Sequence, residues 1–285
     1  MSASKIASVP RVVVDEIVRR ALSEDLGRGD VTTDACIPPD LPGRAALIAR
    51  EALVLAGIDV AAAVFAAVDP AIVVEARSTD GSTLARGDVA ALVTGPAGSI
   101  LKAERVALNL VQRMSGVATK TRELVAALPA GARTRITDTR KTTPGLRALE
   151  RYAVRCGGGH NHRDDLSSAV LIKDNHVAAC GSVTEAIRRA RARAPHTSKI
   201  ECEVDSIAQL DEALAAGADI VMLDNFADEA LPEAVARVAG RAFVEVSGRV
   251  SLERVAVIAR AGVDAISVGA LTHSARAVDL ALDWA

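Results

Sequence analysis

Apolar and polar positions fall into two regimes along this chain of 285 residues. In the first, Val12 to Leu22 carries apolar side chains at helical spacing, and the Gly/Asp-rich EDLGRGDVTTD is expected to end that helix. Arg44–Arg50 and Ile72–Ala76 read as short strands on either side of an Ala-rich helix over Asp59–Ala67. RSTDGSTLARGD and VTGPAGS read as turns between elements. Strands and helices mixed this irregularly imply an α+β layer packing.

From about Thr134 the pattern becomes regular. Strand-like runs recur at RTRITDTRK, SAVLIKDN, KIECEV, DIVMLDN, AFVEVSG and DAISVGA, and helical segments such as SVTEAIRRARAR, SIAQLDEALAAG and SLERVAVIARAG lie between them. Ser182, Ser206 and Ser251 stand where helix N-caps are wanted, and Gly217, Gly240 and Gly262 stand near helix ends. Repeated strand/helix units require a parallel sheet. Polar residues gather at the C-terminal end of every strand, which favours a barrel with its site on that rim over an open sheet with a single switch point.

Composition narrows the functional classes. Half the residues are hydrophobic and a quarter charged, as in globular proteins, and the net charge of −2 gives no global pull toward nucleic acid or membrane. Aromatics at 2% leave little for base stacking. Ala52–Val68 is interrupted by Gly57 and Asp59 and is too short to span a bilayer. Cys36, Cys156, Cys180 and Cys202 show no metal spacing and read as small buried hydrophobes in a reducing compartment. With no apolar leader at the N-terminus, the expectation is a cytoplasmic protein.

The candidate chemistry is anionic-ligand chemistry. DTRKTTPGLRALERYAVRCGGGHNHR supplies Arg140, Lys141, His162 and Arg163 around a Gly-rich turn, and arginine forks match carboxylates bidentately. In LIKDNH, Lys173 ends a strand, where it is expected to act as an anion clamp rather than a Schiff-base nucleophile; Asp174 and His176 are read as supporting the turn. In IECEV, alternation puts Glu201 and Glu203 on one face. Glu201 is expected to form a salt bridge to Lys173 or Arg140, while Glu203 and Asp224 suit Mg²⁺ beside a phosphate. Small residues ending the last strands, Ser247, Gly248 and Gly269, would let a phosphate approach backbone amides. The helix ERVALNLVQRMSG puts Arg105, Asn109 and Gln112 on a polar stripe and Val106, Leu110 and Met114 on another face.

Together these segments resemble the quinolinate phosphoribosyltransferase family, the carboxylating nicotinate-nucleotide pyrophosphorylases. The likeness runs nearly end to end, through EDLGRGDVTT, ERVALNLVQRMSGVAT, DTRKTTPGLR, GGGHNHR, LIKDNH, ECEV, LDN, VSG and SVGALTHSA. It implies an α/β protein with an N-terminal α/β sandwich domain (1–115) and a C-terminal incomplete α/β barrel (116–271), with 272–285 packing back on the first. It implies transfer of phosphoribosyl from phosphoribosyl pyrophosphate to quinolinate with loss of CO₂, and a homodimer with shared sites, assembly beyond the dimer being left open. Arg140, His162, Arg163 and Lys173 would line the quinolinate pocket, with Thr139 beside them, Lys141 between the substrates and Arg105 reaching in from the partner. Glu203 and Asp224 would hold Mg²⁺ and the ribose. The 5-phosphate would sit at Ser247, Gly248, Ser267 and Gly269. Lys141, Lys173, Glu203 and Asp224 are expected to carry catalysis. The rivals are a paralogue acting on another acid, a Schiff-base aldolase using Lys173, and a non-catalytic anion-binding module; KDNH and NHR with several cations favour a diacid.

Overall fold

A computed structural model describes residues 6–284. Two compact units divide the chain: one takes the residues up to Arg122, Thr142–Gly158 and the chain from Ala270 on, the other Glu123–Lys141 and Gly159–Gly269.

The first unit is a four-stranded antiparallel sheet backed by helices. Helices α1 (Arg11–Leu26) and α2 (Val31–Cys36) lead into β1 (Pro42–Ala49); β2 (Leu53–Val54), α3 (Ile58–Val68), β3 (Val73–Ala76), β4 (Thr83–Leu84), β5 (Val89–Pro96), α4 (Ala97–Ala126) and later α5 (Arg147–Cys156) follow. The sheet order is the strand Leu280–Trp284, then β1, β5 and β3, so the first and last strands pair in one sheet. Its inner face (Leu47, Ala91, Val93, Leu282) meets Ala61 and Phe65 of α3 and Ala107 and Val111 of α4. Each large side chain buried there contributes about 1.5–3 kcal/mol.

Two readings of the sequence need correction here. VTTDAC is not part of the break after α1 but helix α2, because Asp30 caps it by accepting from the Thr33 amide at 3.0 Å. VTGPAGS is no turn: VTGP closes β5, paired Gly43 to Gly95 and Pro42 to Pro96, and α4 starts at once. Glycine at 95 serves close packing, since a Cβ there would stand 2.9 Å from Ile72 Cα.

The second unit contains six parallel strands: β6 (Arg135–Thr137), β7 (Val170–Ile172), β8 (Ile200–Val204), β9 (Ile220–Asp224), β10 (Phe243–Ser247) and β11 (Ala265–Ser267). They pair in the order β6-β11-β10-β9-β8-β7, and β6 and β7 remain edges, as in an incomplete barrel. Helices α6 (Asp174–Cys180), α7 (Val183–Arg193), α8 (Ile207–Ala215), α9 (Leu231–Val238) and α10 (Leu252–Arg260) connect them. Four of the five residues of β8 are buried, which is how a parallel strand covered on both faces behaves. Ser182 and Ser206 cap α7 and α8 through their hydroxyls; Ser251 occupies the N-cap of α10 without a side-chain bond. No helix is long and apolar enough to cross a membrane among the described residues.

Candidate functional site

Three of the barrel strands, β9, β10 and β11, end in residues that singled themselves out in the sequence (Asp224, Ser247 and Ser267), and parallel strands put their C-termini on one rim. Ser247 of β10 pairs in register with Asp224 of β9, and Ser267 of β11 with Thr137 of β6. Glu203 is one residue short of the end of β8, and Lys173 follows β7 directly. The Lys173 ammonium lies 2.6 Å from Glu203 Oε2. Asp224 is held above the usual aspartate range by burial and then by the Glu203 charge, with Lys173 and Lys141 acting against that rise. Two repelling carboxylates are thus flanked by two ammonium groups.

His176 fixes the start of α6: its Nδ1 accepts from the Lys173 amide at 2.9 Å, and its own amide returns a bond to the Lys173 carbonyl. Lys173 is therefore aimed from a capped turn. Thr139 does similar work for Lys141, accepting from its amide at 3.1 Å.

The Gly-rich turn and HNHR are anchored from below. Asp138, fully buried, accepts from Asn161 Nδ2 and from the His162 amide, each at 2.7 Å. His162 Nε2 faces Glu201 at 3.3 Å and Glu245 at 3.4 Å, and both carboxylates are more than nine-tenths buried. Glu201 thus meets His162 on the barrel floor, while the salt bridge to Lys173 goes to Glu203. Arg163 reaches Ala169 O through Nη1 at 3.0 Å. Burial and then the neighbouring Arg140 charge lower its pKa, while the Glu201 and Asp165 charges act against that fall.

The donor atoms of His162, Glu201 and Glu245 lie within 4.8 Å of one another, close enough to suggest a metal. The other ring nitrogen argues otherwise. Nδ1 accepts from the Arg163 amide at 2.7 Å, so the ring proton sits on Nε2, where a metal would have to bind. Burial disfavours an imidazolium, but hydrogen bonds and charge from the two glutamates outweigh it and push His162 up to about 10. An Nδ1 proton would collide with the Arg163 amide proton, so the geometry favours a neutral ring with its proton on Nε2. Glu201 fits this, since burial holds its carboxyl above the usual range.

At the last two strands, Gly248 adopts φ +94°, and a Cβ there would lie 2.3 Å from Asn225 Oδ1. Only glycine fits that turn. The Ser267 hydroxyl is buried and has no partner among the described residues, an orphan donor at the proposed phosphate end. Gly269 follows two residues later, after Val268 has donated to Thr137 O. Arg254 of α10 holds this turn from below, donating to Gly248 O at 3.2 Å and Arg249 O at 3.0 Å while paired with Asp228 at 2.5 Å.

In the first unit, Arg105 and Asn109 are exposed on α4, but Gln112 donates to Leu280 O at 2.7 Å and so is not simply solvated. Sequence reasoning passed over Glu245 and Asp138. Alternation in VEVS puts Glu245 on the same face as Ser247, the signal used for Glu201 and Glu203. Arg113 and Glu150, a buried ion pair of the first unit, were also missed.

Residues 30–115 match the quinolinate phosphoribosyl transferase N-terminal domain, and residues 117–283 the C-terminal domain of the same family. A nicotinate-nucleotide pyrophosphorylase [carboxylating] of Mycobacterium leprae is 47% identical over 277 residues, covering 94% of this chain and 96% of its own. A probable enzyme of that name from Bacillus subtilis is 43% identical over 260 residues, 91% of this chain and 89% of its own. The solved nicotinate-nucleotide pyrophosphorylase of Francisella tularensis superposes with a TM-score of 0.93 at 39% identity, over 100% of both chains.

Proposed function

Because the chain belongs to the quinolinate phosphoribosyltransferase family, we propose that it transfers phosphoribosyl from phosphoribosyl pyrophosphate to quinolinate and releases pyrophosphate and CO₂, giving nicotinate mononucleotide for NAD biosynthesis. The observation that carries this reading is the match of residues 30–115 and 117–283 to the two domains of that family. The basic residues Arg140, Arg163 and Lys173 of its second unit suit a ligand of two negative charges, and a pyridine dicarboxylate is such a ligand.

The residues divide the work. Arg140 and Arg163 grip the 3-carboxylate and orient the ring nitrogen toward the anomeric carbon; such positioning can supply much of the acceleration. Lys173 and Lys141 lie where charge builds on the departing groups. Ser247, Gly248, Ser267 and Gly269 take the 5-phosphate, and the orphan Ser267 hydroxyl supports that role. Glu203 and Asp224 suit Mg²⁺ as all-oxygen, mutually repelling donors, and would hold it together with the ribose. The ion would neutralise the pyrophosphate as it leaves. The attacking pyridine nitrogen carries no proton, so no protein base is needed for transfer; once ribosylated, the cationic ring nitrogen stabilises the electron pair left at C2 when the 2-carboxylate departs as CO₂, and that carbon then takes a proton from solvent.

We read the enzyme as a homodimer of the cytoplasm with Arg105 completing the partner's pocket. Mixing inactive Arg105→Ala with inactive Lys141→Ala protein under subunit exchange then restores activity; no recovery despite exchange rules this out. The reaction itself is tested with quinolinate labelled in the 2-carboxylate. Labelled CO₂ and pyrophosphate are expected in equal amounts, dependent on phosphoribosyl pyrophosphate; pyrophosphate without CO₂ contradicts the reading.

A further inference from the structure

The turns that follow β9 and β10 interlock. Asn225 and Arg249 hold left-handed backbones, at φ +56° and +48°, a costly state for residues that carry a Cβ. The Asn225 amide donates to Ser247 O at 3.1 Å, and its side chain donates to Asp224 Oδ2 at 2.7 Å. Strained turns persist where surrounding groups impose them, and Arg254 is such a group. Its Nη1 donates to Gly248 O at 3.2 Å and to Arg249 O at 3.0 Å, and its Nη2 reaches Phe226 O at 3.4 Å. Asp228 steadies the guanidinium, accepting from Nε at 3.0 Å and from Nη2 at 2.5 Å. One planar fork thus ties the turn after Asp224 to the turn after Ser247.

A trans peptide carries its N–H on the side opposite its C=O. Drawing the Gly248 and Arg249 carbonyls toward Arg254 therefore directs the amides of Arg249 and Val250 away from it. Neither amide donates to another group among the described residues. Successive open amides in a turn make an anion-binding concavity. The neighbouring strand adds an independent sign. Ser267 is 3% exposed and its hydroxyl has no partner among the described residues, while the pairing of Val246 with Ile266 brings it beside Ser247.

We infer that Arg254, held by Asp228, is a positioning residue for the phosphate end of the site. By pinning two carbonyls it presets the Arg249 and Val250 amides for a phosphate monoester, and it fixes that turn against the one that begins at Asp224. The inference rests on the function proposed above and deepens its account of phosphoribosyl pyrophosphate. Lysine cannot replace this fork, because a single ammonium on a flexible stem does not span a carboxylate and the carbonyls of two turns at once.

The test titrates inorganic phosphate into the whole protein labelled with ¹⁵N-arginine and ¹⁵N-valine. Arg249→Lys and Val250→Ile assign the two amide resonances. Both are expected to move together in the wild type, and Arg254→Lys should weaken the phosphate affinity they report by about tenfold or more. In steady-state kinetics the same variant should raise KM for phosphoribosyl pyrophosphate about 10- to 100-fold, with kcat and KM for quinolinate within about threefold. A merely structural role would move all three together. Amides that stay still in the wild type, or an unchanged phosphate affinity in Arg254→Lys, overturn the inference. Wild-type protein that binds phosphate as expected yet turns over no quinolinate overturns the proposed reaction instead and leaves the inference standing. Thermal melts establish that each variant folds. Should Arg254→Lys fail to fold, Asp228→Leu with Arg254→Met carries the same titration, since removing both charges of a largely buried pair leaves neither one stranded.

Discussion

Two buried ionic clusters in this protein use similar residue types to opposite ends. In the first unit, Glu150 is fully buried and every oxygen is occupied: Oε1 accepts from Arg113 Nη2 at 2.7 Å and from Thr143 Oγ1 at 2.7 Å, and Oε2 from the Thr143 amide at 3.0 Å. Arg113 in turn donates to the carbonyls of Thr272 and Ala275. In the second unit, Glu201 and Glu245 crowd one imidazole, and Glu245 Oε1 has no hydrogen-bond partner among the described residues. The first cluster is saturated and ties chain segments together. The second sets two carboxylates against one imidazole and leaves one carboxylate oxygen without a hydrogen-bond partner among the described residues. Buried charge alone does not mark a site; the cluster with an incompletely bonded carboxylate lies in the unit whose strand ends carry the candidate residues.

The largest effect that could break this contrast is on the saturated side. Glu150→Ala leaves Arg113 largely buried without its carboxylate and should lower unfolding free energy by about 3–5 kcal/mol. Chemical denaturation measures it, against Glu245→Leu, which removes a poorly satisfied carboxylate and should shift stability by less than about 1 kcal/mol. If the two losses come out equal, saturation does not distinguish the clusters.

A smaller and more selective effect is expected at the acidic end of the rim. Glu203→Ala and Asp224→Ala should weaken Mg²⁺-dependent binding of phosphoribosyl pyrophosphate by about tenfold or more, and quinolinate binding much less. Calorimetric titration of each ligand separates the two. Matching losses for both ligands would point to a structural role for these carboxylates.

The smallest effect sharpens what an exposed pair contributes. Glu51 accepts from Arg276 and from the Asp279 amide, and these bonds lower its pKa from 4.5 to about 2. A depressed folded-state pKa stabilises the fold above the ordinary glutamate range, and that contribution disappears as pH falls through about 2. Arg276 is 69% exposed, so screening keeps the contribution below about 1 kcal/mol. Glu51→Gln should flatten the acid side of the stability–pH curve slightly; a steeper curve in the variant would reverse the sign.

Much of the barrel was legible because its signals are local and repeat. Strand runs end in polar residues, Ser182 and Ser206 precede helical periods, and Gly217 and Gly262 close helices at positive φ. The first unit was harder where one residue serves two purposes. Asp30 looks like a breaker and acts as a cap, and Gly95 looks like a turn and allows close strand packing. Among the site candidates, side chains at strand ends could be placed on the rim from alternation alone. Which partner each would choose could not. Glu201 was expected to meet Lys173 or Arg140, and the structure sets it against His162, because the HNHR loop drops its ring onto the barrel floor. That contact depends on the path of a loop stapled by Asp138, a long-range fact that no short window of sequence contains.

The most direct measurement is the ratio of kcat/KM for quinolinate to that for nicotinate in the wild-type enzyme. A pocket built for two carboxylates should lose one set of charge-assisted hydrogen bonds with a monocarboxylate, giving a preference of about 1,000-fold or more for the diacid. Comparable values for the two acids would contradict the view that this site is built for a dicarboxylate.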